Sequence, residues 1–495
     1  MRGGLLVCGT TSDAGKSFVV AGLCRLLARR GIKVAPFKAQ NMANNACVTV
    51  DGAEIAQAQW VQALAAGVEP ETAMNPILLK PTTDRSSQVV VLGQAAGTWS
   101  AADFQGKKAD LLPVVLGALA DLRGRFDVVL CEGAGSPTEI NLLDGDIVNL
   151  RLAREAGLPA VVVGDIDRGG VFAALYGTVA LLPDDLRACV RGFIVNKLRG
   201  DPALLGRATA ELEARCGVPT LGVVPMVAGA DIDAEDSLAI ETRPMPDAEG
   251  RFDVAAVRFP RVANFGDLDP LRLEPGVNVR WVQRPDQLGR PDLVVLLGSK
   301  STRADLEWFR TTGLCRAVED SGAPILGICA GLQMLGRAIS DPDGVEGPPG
   351  DLRGMGLLPV ETLFAADKLL DRRSGWCVSG PGKGEAVSGF RMHHGRVAAR
   401  SPIEPWLVAD DGTVLGWRQG RVTGTTLHGL FESDGFRAEV LRWAADAGGH
   451  PEPVGLGTVF FSAARMRRLD RIADVLEQHV DMQRLAAVIA EGAPA

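Results

Sequence analysis

Gly4-Leu5-Leu6-Val7-Cys8-Gly9-Thr10-Thr11-Ser12-Asp13-Ala14-Gly15-Lys16-Ser17 is the stretch whose reading decides the fold of the first half of the chain. A short apolar run enters a loop of small residues, and Val19, Leu23, Leu26 and Leu27 then recur at helical spacing until Gly31. Strand, small-residue loop and helix in this order are the setting of a phosphate-binding loop. Small side chains let backbone N–H groups close around phosphate oxygens, and the helix N-terminus adds partial positive charge. In that setting Lys16 reaches the β- and γ-phosphates of ATP and the Ser17 hydroxyl ligates magnesium. The strict pattern places its first Gly or Ala nearer to Lys16 than Gly9 stands here. The competing reading is a plain turn of small residues with a solvated lysine.

Outward from this loop the same alternation continues. Apolar runs at Lys33-Val34-Ala35-Pro36-Phe37, Phe126–Cys131, Pro159–Val163 and Gly192–Val195 are separated by amphipathic stretches, which predicts a parallel sheet covered on both faces. After Pro225 the composition shifts, and residues 228–251, rich in Asp, Glu, Gly and Pro, read as an exposed linker. A second alternating series follows at Asp253–Val257, Val277–Val282, Leu293–Leu297 and Pro324–Ile328. Ser340 to Asp351 reads as a surface loop, and Arg465 to Ile489 as helix packed on the second domain. The expected fold class is α/β with two doubly wound domains: a phosphate-loop parallel-sheet domain over residues 1–235 and a second α/β domain over residues 250–495 with a C-terminal helical extension. The 495 residues alone, at about 150 per domain, would also allow three.

Composition narrows the function classes. Lys plus Arg number 52 and Asp plus Glu 60, a net charge of −8 at pH 7, which argues against a general nucleic-acid binder. Nine scattered Cys with no C-x-x-C spacing predict neither a disulfide framework nor structural zinc. The N-terminus enters the glycine loop too early for a secretory h-region, and no uncharged stretch reaches the ~20 residues of a membrane helix. The expectation is a soluble cytoplasmic protein without nucleic-acid or membrane partners.

A second motif carries different chemistry. Gly327-Ile328-Cys329-Ala330-Gly331 follows an apolar strand and precedes helical Leu332-Gln333-Met334-Leu335. This is the thiol form of a nucleophile elbow: a tight turn lifts the sulfur above the sheet edge at a helix N-terminus, which favours thiolate. The Ala330 N–H then points where an oxyanion forms. Only five His are available as base. His450 lies in a Gly/Pro-rich segment and His479 on an amphipathic stretch. His428, in Thr425-Thr426-Leu427-His428-Gly429-Leu430-Phe431, sits at a strand end, and His393-His394 is the competitor.

The long glycine loop resembles that of dethiobiotin synthetases. That resemblance implies a lysine near phosphate and substrate carboxylate at Lys38, a magnesium-facing carboxylate at Glu132, and an Asn that reads the adenine edge at Asn196. All three follow strands, at the edge where open parallel sheets bind ligands. The cysteine region resembles the triad-type class I glutamine amidotransferases. There Cys329 is the nucleophile, His428 the base with His393 in reserve, and the backbone of Gly298, in Leu297-Gly298-Ser299-Lys300, joins Ala330 in the oxyanion hole. That family has Glu two residues after the histidine, where this chain has Leu430, so the third member of the triad is absent or supplied elsewhere; Glu432 is a poor substitute.

Long stretches resemble the cobyric acid synthase family. They include Pro36-Phe37-Lys38-Ala39-Gln40-Asn41-Met42, Met74-Asn75-Pro76-Ile77-Leu78-Leu79-Lys80-Pro81-Thr82, Glu132–Leu142, Asp165–Ala174, Asn264-Phe265 and Gly298–Thr302. The resemblance implies ATP, Mg²⁺ and L-glutamine as the reagents. It implies a small-molecule corrinoid substrate, adenosylcobyrinic acid a,c-diamide, amidated at carboxylates b, d, e and g to give adenosylcobyric acid. Lys38, Lys80, Arg85 and Arg168 are candidates for substrate or phosphate contacts. Asp165 and Asp167 are candidates for magnesium or ammonia, and Asp51 is a further magnesium candidate. The family's Gly-Tyr-Glu-Ile-His segment stands here as Gly389-Phe390-Arg391-Met392-His393. A homodimer is compatible with this reading. The nearest alternatives are a cobyrinic or hydrogenobyrinic acid a,c-diamide synthase and, in a different class, a partition-type ATPase switch.

Overall fold

The computed structural model describes residues 1–83, 85–227 and 252–492; the linker expected at 228–251 lies outside the described residues. The chain divides into two compact units. One comprises Met1–Ala43, Glu54–Asp233 and Arg465–Ala495, the other Asn44–Ala53 and Ala234–Ala464. The expected mixed α/β class with parallel sheets is borne out in both.

The first unit is built on a six-stranded parallel sheet in the order Thr220–Pro225, Val190–Leu198, Ala160–Asp165, Gly3–Gly9, Val128–Glu132, Val34–Phe37. Its central strands are buried along their whole length, as continuous Val/Leu runs require when helices cover both faces. The C-terminal edge carries Gly9, Glu132, Asp165 and Asn196, with Lys38 one residue past Phe37. A smaller sheet of Gln40–Met42, Ile77–Pro81, Ser86–Val91 and Gln94–Ser100, mostly antiparallel, was not anticipated from the sequence.

The C-terminal segment corrects the expected packing. Helices Phe461–His479 and Met482–Glu491 bury Leu469, Ile472, Leu476, Leu485 and Ile489 in the first unit's core, beside Val19 and Leu23. Helical periodicity identifies an apolar face but not the surface that covers it. Here the covering surface is helix Lys16–Arg29, where the bare Cα of Gly22 accommodates Ile472 and Leu476. Arg25–Asp470, Arg29–Asp474 and Arg30–Glu477 ion pairs flank the contact.

The second unit has five parallel strands in the order Val277–Val282, Phe252–Val257, Leu293–Leu296, Ile325–Ile328, Val422–Thr425. The sheet continues antiparallel through Val414–Gln419, Glu404–Ala409 and the long hairpin Val360–Cys377/Ala386–Ala399. The ends of the expected loop Ser340–Asp351 are in fact strand. Ala338–Asp341 and Gly350–Arg353 pair antiparallel, with the Ser340 hydroxyl donating to Asp351 at 2.6 Å. Among the described residues no helix is long and apolar enough to cross a membrane.

Candidate active sites

In the first unit the loop folds around the Lys16 ammonium. Lys16 is 4% exposed and its ammonium donates to the carbonyls of Thr11, Ser12 and Gly135 at 2.9, 3.1 and 3.2 Å. Gly15 has φ 103°, and a Cβ there would lie 2.1 Å from Asn196 Nδ2, so the position admits only glycine. Asn196 itself, expected to read a base, donates through Nδ2 to the Ala14 carbonyl at 3.0 Å and holds the loop to its neighbouring strand.

Glu132 is the hub of the site. Its Oε1 accepts from Ser17 Oγ and Lys38 Nζ, both at 2.9 Å, and its Oε2 from Gln62 Nε2. A chain of buried amides continues behind it: Gln59 Nε2 donates to Gln62 Oε1 at 3.5 Å and Asn41 Nδ2 to Gln59 Oε1 at 2.9 Å. The sequence reading missed Gln59 and Gln62. Two glutamines at i, i+3 on the buried face of helix Gln57–Ala66 were the signal available.

Two of the other candidate cations, Lys80 and Arg168, are ion-paired. Lys80 forms a buried ion pair with Glu54 at 2.9 Å. Arg168, 59% exposed, pairs with Asp13 at 2.8 Å, and Lys197 bridges the Asp165 carboxylate at 2.8 Å and the Asp13 carbonyl. Asp167 pairs with Arg199 at 2.6 Å, and Arg85 is exposed. A cavity of about 260 Å³ is lined by Gln40, Met42, Lys108, Gly135, Ser136 and Pro137, so it adjoins the carbonyl that anchors Lys16. Burial lowers the pKa of Lys108, against the opposing charge of Asp146. Among the described residues no cluster of three or more His, Cys, Asp or Glu forms a protein-only metal cage. Magnesium sites need no such cage, since they commonly use one or two protein oxygens plus phosphate, and Ser17 Oγ and Glu132 Oε1, 2.9 Å apart, are hard oxygens of the fitting type. Asp51 belongs to the second unit, in an exposed turn where the Thr49 hydroxyl donates to its carboxylate.

In the second unit Cys329 follows strand Ile325–Ile328 and caps helix Ala330–Leu335 with φ 53° and ψ −105°, a strained conformation for a non-glycine residue. The turn needs bare neighbours: a Cβ on Gly331 would lie 2.0 Å from the Leu296 carbonyl oxygen. His428, 1% exposed, presents Nδ1 to Asp267 Oδ2 at 2.8 Å and feels the charge of Cys329. Burial pushes the imidazole pKa down, but the Asp267 and Cys329 charges and the hydrogen bonds to both outweigh it and raise the pKa to about 10. Gly298 lies against the ring, so that a Cβ there would stand 3.0 Å from Cε1.

The Gly389–His393 segment acquires a place in this geometry. Phe390 and His428 exchange both backbone hydrogen bonds, at 3.1 and 2.9 Å, and their rings stack with centroids 5.4 Å apart. His393 is buried; desolvation pushes its pKa down to about 3 although the Gly395 carbonyl accepts from its ring at 2.7 Å, so it stays neutral. Leu430 is in the core and Glu432 is exposed. Asp267 was missed: it lies 161 residues before His428, in an unremarkable short turn.

Two family models match the chain: a CobQ/CobB/MinD/ParA nucleotide binding domain over residues 5–238 and a CobB/CobQ-like glutamine amidotransferase domain over residues 253–436. A cobyric acid synthase of Nocardia farcinica is 51% identical, covering 100% of this chain and 98% of that protein. The chain belongs to the cobyric acid synthase family. Members from Rhodococcus jostii and Streptomyces avermitilis are each 49% identical, covering 100% of this chain and 96% and 98% of theirs. Membership gives the two sites a common purpose: a nucleotide-binding domain and a glutamine amidotransferase domain in one ligase of cobalamin biosynthesis.

Proposed function

We propose that the chain uses ATP, magnesium and glutamine to convert the b, d, e and g carboxylates of adenosylcobyrinic acid a,c-diamide into amides, giving adenosylcobyric acid. The observation that carries this reading is the coexistence of a closed phosphate loop centred on Lys16 and Glu132 with a Cys329–His428 pair on a strained elbow. A carboxylate does not condense with ammonia at neutral pH. Transfer of the γ-phosphoryl of ATP to the carboxylate oxygen gives an acyl phosphate and ADP; ammonia then attacks the acyl carbon and phosphate departs. Lys16, held by three carbonyls, faces the charge that develops on the phosphates. Ser17 and Glu132 would hold magnesium, which would supply further neutralisation of that charge. The cavity beside Gly135 is too small for a whole corrin and suits one carboxylate arm, with Lys108 as its cation.

Ammonia comes from the second site. With the His428 pKa raised to about 10, the imidazole carries its proton at neutral pH and stands beside the Cys329 sulfur as the acid for the leaving group. The thiolate attacks the glutamine amide carbon, the oxyanion meets the Gly298 and Ala330 backbone, and His428 gives its proton to the departing ammonia. Water hydrolyses the thioester to glutamate. The family relation supports a soluble, cytoplasmic enzyme acting on a small-molecule corrinoid.

The test incubates the protein with ATP, magnesium, glutamine and either the a,c-diamide or cobyrinic acid, and follows corrinoid mass. Stepwise fourfold amidation of the a,c-diamide is expected. Amidation of cobyrinic acid alone, at its a and c carboxylates, would transfer the chain to the diamide synthase reaction.

A further inference from the structure

We propose that Asp267 is the third member of the glutaminase triad, a positioning residue that fixes the His428 ring and sustains its charge in place of the carboxylate absent at Leu430. The inference rests on the glutaminase reading above and deepens it.

Four observations converge. Asp267 Oδ2 lies 2.8 Å from His428 Nδ1, which leaves Nε2 as the nitrogen for the sulfur. Its other oxygen, Oδ1, accepts from the Gly429 N–H at 2.7 Å, so one carboxylate holds both the ring and the backbone that carries it. Side-chain exposures of 4% for Asp267 and 2% for His428 keep the pair away from water, where a charge-assisted hydrogen bond is strongest. The turn itself is pinned. Asp267 N–H donates to the Asn264 carbonyl at 3.1 Å, Phe265 N–H to Asn45 Oδ1 at 3.2 Å, and Ala46 N–H to Asn264 Oδ1 at 3.1 Å.

The other groups that face His428 do not compete for this role. Phe390 stacks on the ring and is neutral, His393 is held neutral by burial, and Cys329 is the partner that receives the benefit. Asp267, 161 positions before the histidine, thus reaches Nδ1 from a different element than the position two residues after it would. Leu430 is buried in the core.

The test compares wild type with Asp267→Asn and Asp267→Glu by three readouts. These are glutamine-supported amidation, ammonium-supported amidation, and the pH dependence of Cys329 alkylation by iodoacetamide. Asn keeps the acceptor for Gly429 N–H but removes the charge. The expected result is a fall of at least ~10-fold in glutamine-supported kcat with little change in KM. The acid limb of the alkylation profile moves to higher pH by at least about one unit, because the imidazolium that supports the thiolate has lost its counter-charge. Ammonium-supported turnover persists, and Asp267→Glu restores part of the loss. An Asn variant with the wild-type alkylation profile and wild-type glutamine kcat overturns the proposal. So does loss of glutamine turnover without any movement of the profile, which marks Asp267 as a fold residue. Should the Asn variant not fold, Asp267→Ser read by the same profile decides. Wild type that releases no ammonia from glutamine would instead sink the glutaminase reading itself.

Discussion

The two sites differ in how they are assembled. In the phosphate loop, Gly9 through Ser17 arrive as one contiguous segment, and the sheet needs only to add Glu132, Lys38 and Asn196 from neighbouring strand ends. The cysteine site takes Cys329, His428, Asp267, Gly298 and Phe390 from five separate places in the sequence. A contiguous site is set by local backbone geometry; a dispersed one is set by the tertiary fold. Their electrostatics differ as well. The first sets Lys38 and the Ser17 hydroxyl around one buried carboxylate, and the second sets a carboxylate against an imidazole beside a thiol, the arrangement the proposed proton transfer needs.

The sharpest way to break this contrast is a pair of substitutions. Lys16→Ala removes the cation that faces the phosphates, so both glutamine- and ammonium-supported amidation fall by about 10³-fold or more. Cys329→Ala abolishes the glutamine-supported reaction while ammonium salts still drive amidation, because the thiol serves only to release ammonia. Both are read as corrinoid product formed with each nitrogen source. Loss of both activities in Cys329→Ala would mean that the elbow holds the fold or couples the sites. Survival of either activity in Lys16→Ala would remove the phosphate-loop reading.

The contrast also explains what the sequence made legible. The parallel strands, the glycine loop and the elbow follow from apolar runs and small residues at fixed offsets, which are local signals. Asp267 gives no such signal, since its role exists only once Phe265–Leu268 and Val422–Thr425 are folded beside each other. The C-terminal helices were read correctly as helices and placed on the wrong unit, because periodicity does not encode a partner. The sequence offers Lys80 and Arg168 as candidates for substrate or phosphate contacts, and only the fold brings Glu54 and Asp13 to them.

A smaller effect tests the hub of the first site. Gln62→Leu removes the donor to Glu132 Oε2 and leaves that oxygen buried without its amide partner. An outer hydrogen bond of this kind is worth about 10- to 100-fold in metal affinity. The expected outcome is therefore a rise of that order in the magnesium concentration needed for half-maximal turnover, with ammonia and glutamine equally affected. A change confined to glutamine would show that the amide chain from Asn41 to Glu132 serves the other half of the reaction.

The smallest predicted effect crosses the sequence halves without leaving the second unit. Residues 44–53 lie in the N-terminal half of the sequence yet belong to the cysteine unit, where Asn45 accepts from Phe265 N–H two residues before Asp267. Removing that acceptor by Asn45→Ala frees the turn at a cost near that of one net hydrogen bond, about 0.5–1.5 kcal/mol, equivalent to roughly 2- to 10-fold in rate. Glutamine-supported turnover should drop by that factor and ammonium-supported turnover should not. The same factor in both reactions would mean that Asn45 supports the unit as a whole. A drop in glutamine turnover alone would show that a dispersed site draws its precision from a segment nearly four hundred residues away in sequence from the histidine it serves, at Asn45 and His428.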